Sequence, residues 1–254
     1  MSTWVLLRGL MRESRHWGAF PEQLRRTLPE ARVVTLDLPG NGMLNQGRSP
    51  VRVASMAEHC RDSLRALGCE PPYHLLALSL GGMVAVAWEH RYPQEIAAAV
   101  LLSTSMRPYN PFYQRLRPAN YPALLGMALG RRDPRRDERL ILRLTSSGGI
   151  EAQSTVLRAW ITYARECPVS RANALRQLWA AARFSAPAAP RPGRFLLLAG
   201  ARDRLVHPDC SAQLARAWNA PLAVHAQAGH DLPLDAADWV AARIRDWVAT
   251  GIPA

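Results

Sequence analysis

Six short apolar runs recur along this chain, and most of them show no polar alternation. They are Trp4–Leu7 (WVLL), Val33–Leu36 (VVTL), Leu75–Leu78 (LLAL), Ala98–Leu102 (AAVLL), Phe195–Ala199 (FLLLA) and Leu222–Ala226 (LAVHA). A strand with one wet face reads as an alternation, whereas a short unbroken apolar run reads as a strand covered on both faces. Between the runs lie segments with helical spacing, among them Ser55–Leu67, Gly81–Arg91, Cys210–Trp218 and Ala236–Val248. Strand and helix in repetition predict an α/β fold, a mostly parallel doubly wound sheet with helices on both faces.

The rhythm breaks between Met106 and Ala189. A loop with Pro108, Pro111 and Pro118 leads into helix-like segments around Tyr121–Leu129, Asp137–Thr145, Glu151–Arg165 and Ser170–Arg183, with no convincing strand among them. The pattern predicts a core made of residues 1–105 and 190–254, with 106–189 inserted as a helical cap and a flexible linker at Ala186–Gly193. The chain, 254 residues with 48% hydrophobic residues, can bury a sizeable core. Its start lacks the pattern of a secretory leader, and no apolar run approaches the roughly 18 residues of a membrane span. Cys60, Cys69, Cys167 and Cys210 are scattered without a C-x-x-C pair. They predict reduced thiols in a cytoplasmic protein, with neither a metal site nor a disulfide framework.

In such sheets the functional residues collect at the carboxyl ends of strands. After the third run the chain reads ALSLGG, Ala77 to Gly82. A serine hydroxyl is a weak nucleophile until a base takes its proton, and it must project from the sheet to meet a carbonyl. A sharp strand-to-helix turn achieves this if the residues two before and two after the serine are small. Ala77 and Gly81 satisfy that around Ser79, although Ala77 stands where the G-x-S-x-G pattern has glycine. A serine in an ordinary βα turn would look the same, so the case rests on partners.

Asp203 lies just past the fifth run, in GARD, and His230 follows the sixth, in GHDLPLD. The other histidines fit less well: His59 and His90 sit in helix patterns, His225 in a strand and His74 at the far end of the elbow strand. His16 follows the first strand and could line a site, and His207 lies in the loop after Asp203. No carboxylate follows the fourth run, which continues STSM, while Asp209, Asp231 and Asp235 read as cap or turn acids. The order Ser79, Asp203, His230 is the nucleophile–acid–base order of one large class of serine hydrolases. An oxyanion hole would come from the backbone N–H groups of Leu10, after the tight turn at Gly9, and of Leu80.

Together these residues resemble the α/β-hydrolase superfamily in its small capped esterase branch, which includes pimeloyl-acyl-carrier-protein methyl ester esterase-like hydrolases. The likeness rests on Arg8-Gly9, on D-x-P-G-x-G from Asp37 to Gly42, on Ser79-Leu80-Gly81-Gly82, on Gly200–Asp203 and on Gly229-His230-Asp231. It implies a Ser79–His230–Asp203 triad, an acyl-enzyme intermediate, an oxyanion hole at Leu10 and Leu80, and no cofactor. Two positions depart from the family pattern: Arg8 where His is usual, and Ala77.

All 32 basic residues are arginine, and the formal net charge is +12. Residues 106–185 hold fourteen arginines against five acids, most of that excess. The densest part, Gly130–Arg143, carries Arg131, Arg132, Arg135 and Arg136, which suit a phosphate or an acidic partner such as an acyl carrier protein. Biased base composition and a solvated, self-paired helix start account for the same residues equally well. Nucleic acid is not expected, since the stretch lacks interleaved aromatics and the fold supplies no groove-reading element. The expected substrate is a small carboxylic ester or thioester, with carrier-protein or CoA-linked esters included. Acyl transfer, carbon–carbon bond hydrolysis, elimination and a receptor without turnover are the rival readings.

Overall fold

The computed structural model describes residues 2–187 and 193–251. Its elements in chain order are β1 (Ser2–Leu7), α1 (Phe20–Thr27), β2 (Ala31–Leu36), α2 (Val53–Ala66), β3 (Tyr73–Leu78), α3 (Leu80–Arg91) and β4 (Ile96–Leu102). There follow α4 (Phe112–Arg115), α5 (Tyr121–Leu129), α6 (Pro134–Thr145), α7 (Ser154–Glu166) and α8 (Arg171–Arg183). The chain closes with β5 (Phe195–Gly200), α9 (Asp209–Trp218), β6 (Leu222–His225), α10 (Leu232–Asp235) and α11 (Ala237–Ala249).

The six strands form one parallel sheet in the order β2-β1-β3-β4-β5-β6. Each expected apolar run falls on a strand, the last overrunning β6 by one residue, and β1 to β4 each begin two residues earlier than the runs suggest. In β1 those first residues are Ser2 and Thr3, which the ladder to β2 holds extended, whereas β3 and β4 start on the buried Tyr73 and Ile96. Successive side chains go to opposite faces. Val5 and Leu7 of β1 join Leu75 and Ala77 of β3 in a core under α2, α3 and α9. Trp4 and Leu6 join Leu76 and Leu78 in a second core under α1 and α11.

Helix α3 is buried from Leu80 to Glu89, as expected of a helix apolar around most of its circumference. The strand order reverses beside β1, between β2 on one side and β3 on the other. In open α/β sheets that switch opens a crevice at the carboxyl ends of the strands. Helices α4 to α8 all fall between β4 and β5. Leu142 of α6 packs with Leu157 and Trp160 of α7 and with Leu234 of α10, which seats this pair above the loop after β6. The Ala186–Gly193 linker expected from the sequence falls largely on residues 188–192, outside the described residues.

Candidate active site

Ser79 occupies the junction of β3 and α3 with φ 56° and ψ −114°. Only glycine adopts a positive φ freely, and other residues are held there at a cost of about 1–3 kcal/mol by their surroundings. Three bonds supply that hold: the Ser79 N–H donates to Leu102 O (3.0 Å), while its carbonyl accepts from Gly82 N (2.9 Å) and Thr104 Oγ1 (2.9 Å). A methyl group on Gly81 would run into the carbonyl oxygens of Leu7 and Arg8, and one on Gly82 into Thr104. Glycines here let α3 start directly against the ends of β1 and β4. Ala77 is fully buried between Leu7 and Leu101, so its extra methyl fills core rather than obstructing the turn.

Met11 and Ser103 also have positive φ, 55° and 45°. Three of the four such non-glycine residues in the described chain therefore follow β1, β3 and β4 at one end of the sheet. Gly9 brings the first of these loops beside the serine: a Cβ there would lie 3.1 Å from Ser79 Cβ. Leu10 is half-buried next to it, and the following N–H, of Met11, donates to Gln177 Oε1 of α8 at 2.9 Å. Leu80 is the first residue of α3, where N–H groups lack a partner within the helix.

Asp203 and His230 meet. Asp203 Oδ2 lies 2.7 Å from His230 Nδ1, and both side chains are buried. Asp203 Oδ1 accepts from the N–H groups of Leu205 (2.8 Å) and Val206 (2.9 Å), so the carboxylate is fixed in its loop as well as on the imidazole. A methyl on Gly200 would strike the carbonyl oxygens of Ala228 and Gly229, so the loop carrying His230 lies directly on the end of β5. Asp235 anchors that loop, accepting from Gly229 N at 2.7 Å and from Ser147 N at 2.8 Å after α6.

Asp231 is not the simple turn acid that the sequence suggests. It forms a buried two-pronged ion pair with Arg8, 2.5 Å and 3.1 Å, and the Arg8 guanidinium lies 4.9 Å from the centroid of the Trp17 ring. The pair joins the loop after β1 to the residue following His230. Its trace in the sequence is the replacement of the usual His by Arg8, with an acid beside His230. Neighbouring Arg12 pairs with Glu138 of α6 at 2.6 Å and donates to His16 Nε2 at 2.8 Å. Burial, with Arg12 and Arg8 adding positive charge, pushes the His16 imidazole well below its ordinary pKa. His16 is therefore neutral and committed to this network. His207 instead accepts the Asp209 N–H through Nδ1 at 3.3 Å, where α9 begins.

Arg131, Arg132, Arg135 and Arg136 are exposed around the start of α6. Arg132 donates to Val169 O, and Arg136 pairs with Asp137 at 2.9 Å. No hydrogen bond or ion pair connects the four to Ser79, Asp203 or His230 among the described residues. The four cysteines are free thiols, and burial pushes Cys60 and Cys210 up to about 12. Among the described residues no group of three or more His, Cys, Asp or Glu could hold a metal ion, and no helix is long and apolar enough to cross a membrane.

A six-stranded parallel sheet with a strained serine at the switch point and a buried Asp–His pair at later strand ends defines an α/β-hydrolase architecture. The chain belongs to the alpha/beta hydrolase family, whose model matches residues 4–243. Among solved structures it is similar to a thermophilic esterase from Thermogutta terrifontis, with 22% identity, TM-score 0.75, and coverage of 100% of this chain and 91% of that one. The meta-cleavage product hydrolase CumD from Pseudomonas fluorescens IP01 has 17% identity and TM-score 0.78, covering 98% and 91%. The esterase RhEst1 from Rhodococcus sp. ECU1013 has 20% identity and TM-score 0.72, covering 99% and 91%. At such identities the likeness is one of fold. A shorter match, 27% identical over 77 residues, is to the uncharacterized protein YbdG of Bacillus subtilis (strain 168); it spans 30% of this chain and 24% of that protein.

Proposed function

We propose that this protein is a serine hydrolase of carboxylic esters or thioesters, with residues 106–189 as the cap over its site. Ser79 is the nucleophile, His230 the general base and Asp203 the group that orients the imidazole. The observation that carries the reading is the buried 2.7 Å bond between Asp203 and His230 Nδ1. An ionised carboxylate only accepts, so this contact supports the Nδ1–H tautomer, with Nε2 as the acceptor that a general base needs.

In the first half-reaction Ser79 Oγ bonds to the substrate carbonyl carbon while its proton passes to His230 Nε2. The oxyanion that forms takes hydrogen bonds from the N–H groups of Leu10 and Leu80. The imidazolium, stabilised by Asp203, then gives its proton to the departing alcohol or thiol as the acyl–heteroatom bond breaks. Water repeats the sequence on the acyl-enzyme and releases the acid and free Ser79. Deletion of one oxyanion donor costs about 10²–10³ in rate in other serine hydrolases, so both loops matter to the rate.

Carrier-protein and CoA-linked esters fall within this class, supported only by the charge of Arg131, Arg132, Arg135 and Arg136. Two of these already have protein partners. The generic ester is therefore the reading we adopt. The test is hydrolysis of a short p-nitrophenyl ester panel together with labelling by a fluorophosphonate. Both should disappear in Ser79→Ala, with kcat reduced on the order of 10⁶ as for a protease triad. Undiminished turnover in that variant would sink the proposal. Ligand binding without turnover in the native chain would favour a receptor, and product analysis distinguishes acyl transfer or carbon–carbon cleavage from ester hydrolysis.

A further inference from the structure

Helix α5 is at odds with its surroundings. Its nine residues, YPALLGMAL, carry no charge, yet none of them is buried. Leu125 is 58% and Leu129 74% exposed, and Tyr121 at the start of the helix is 39% exposed. A helix apolar around its whole circumference belongs in a protein core or in lipid. The neighbouring α8 continues the theme. Arg171, its first residue, donates to the Gly130 carbonyl at the end of α5, which joins the two helices at their ends. The inward face of α8 is Asn173, Gln177 and Ala180. On the opposite face Leu175, Leu178 and Trp179, spaced for one side of a helix, are 60%, 43% and 54% exposed.

Positive charge borders this apolar surface. Arg131, Arg132, Arg135 and Arg136 follow α5 directly and are exposed, and no ion pair neutralises Arg131 or Arg135 among the described residues. Arg183 lies over the Trp179 ring at 5.2 Å from its centroid. Residues 106–185 as a whole carry a net +9. A second copy of the chain would bring the same charge to a shared apolar face and be repelled. An acidic protein would satisfy the arginines and leave the leucines in water. An anionic lipid surface supplies phosphates at the level of the arginines and hydrocarbon just beneath them, with tyrosine and tryptophan suited to the boundary. Nine helical residues rise only about 13.5 Å, against a hydrocarbon core of about 30 Å, so α5 can lie in such a surface but not span it.

We propose that α5 and the outward face of α8 dock this protein onto an anionic phospholipid bilayer, with the arginines after α5 on the headgroup phosphates. The docking does not rest on the catalytic reading and is tested without turnover. The full chain is sedimented with vesicles of phosphatidylcholine and phosphatidylglycerol, and with vesicles of phosphatidylcholine alone. Binding to the anionic vesicles should be at least tenfold stronger, and should weaken as salt is raised to about 0.5 M and surface charges are screened. Leu125→Ser with Leu129→Ser, both exposed and so expected to leave the thermal melt unchanged, should lower anionic-vesicle binding at least tenfold. Replacing Arg131, Arg132, Arg135 and Arg136 together by Gln should lower it by about a hundredfold or more. The proposal is overturned by absence of sedimentation, by equal sedimentation with both vesicles, or by variants that bind as the native chain does. Binding to an acidic carrier protein with none to vesicles would also overturn it, as would a lipid-free dimer that the leucine variant dissociates.

Discussion

At the scale of single residues, Asp203 divides its two oxygens between two tasks. Oδ1 holds the turn through the N–H groups of Leu205 and Val206, and Oδ2 holds the imidazole of His230. An asparagine can keep the first task, since its carbonyl oxygen still accepts two N–H bonds, but its NH₂ then faces His230 Nδ1 and favours the opposite tautomer. On the proposed mechanism, Asp203→Asn should retain the native melting profile and lose about 10⁴ in kcat, the cost of the wrong tautomer in a protease triad. Ester turnover beside a thermal melt checks this, and an active variant would remove Asp203 from the mechanism. Ser79 shows the complementary economy, its positive φ sustained by bonds to Leu102 and Thr104 at the end of β4 and to Gly82 in the first turn of α3.

At the scale of elements, buried polar groups brace the strand-end loops against one another. Asp37, in the D-x-P-G-x-G stretch after β2, accepts from Ser14 N and Ser14 Oγ, both at 2.7 Å, and from Met43 N at 3.1 Å. A methyl on Gly42 would strike this carboxylate, which explains a glycine at a residue with φ +50°. That motif therefore acts as a brace for the loop after β1. The Arg8–Asp231 pair does the same between β1 and β6, at 3% side-chain exposure for each partner. Removing one member of a buried pair strands the other charge and costs about 3–5 kcal/mol, whereas replacing both by packed apolar residues is often near neutral. Arg8→Met should thus lower the unfolding free energy in urea by about 3–5 kcal/mol. The Arg8→Met, Asp231→Leu double variant should recover most of the loss, and a double variant as unstable as the single one would argue against the stranded charge as its cause.

At the scale of the whole molecule, stability follows pH through groups the fold has shifted. Burial, reinforced by Arg12 and Arg8, depresses the His16 imidazole, and burial depresses His74. The unfolded chain then binds more protons than the folded one below the ordinary imidazole value of 6.5. Stability is complete above that value and is lost as pH falls through the depressed folded value. At most about 1.4 kcal/mol per pH unit belongs to each such group. Glu95 acts in a lower window. Burial alone would raise its carboxyl, but hydrogen bonds from Arg61 and Trp88 outweigh that and depress it, so its contribution is lost only below about 4.5. Urea unfolding between about pH 7.5 and 5.5 should show a steeper loss for the native chain than for His16→Gln. Parallel curves would exclude His16 as a source of the acid sensitivity.

The layers, and the order in which Ser79, Asp203 and His230 fall at strand ends, are legible in the amino-acid sequence alone. Unbroken apolar runs such as FLLLAG admit little but strands covered on both faces, and ALSLGG permits a tight strand-to-helix turn because its flanking residues are small. Asp203 and His230 were legible because strand ends can be read from where the apolar runs stop. What each polar residue faces is settled only in the folded chain. Asp231 reads as a turn acid until Arg8, more than two hundred residues earlier, arrives beside it. His16 is a plausible site residue until Arg12 and Glu138 enclose it. YPALLGMAL reads as one helix of the inserted cap, and its exposure emerges only once neighbours have failed to cover it. Periodicity reports the local conformation of a residue and the hydrophobicity of its own segment. Ion pairs and exposure depend on segments distant in the chain, and those meet only in the folded molecule.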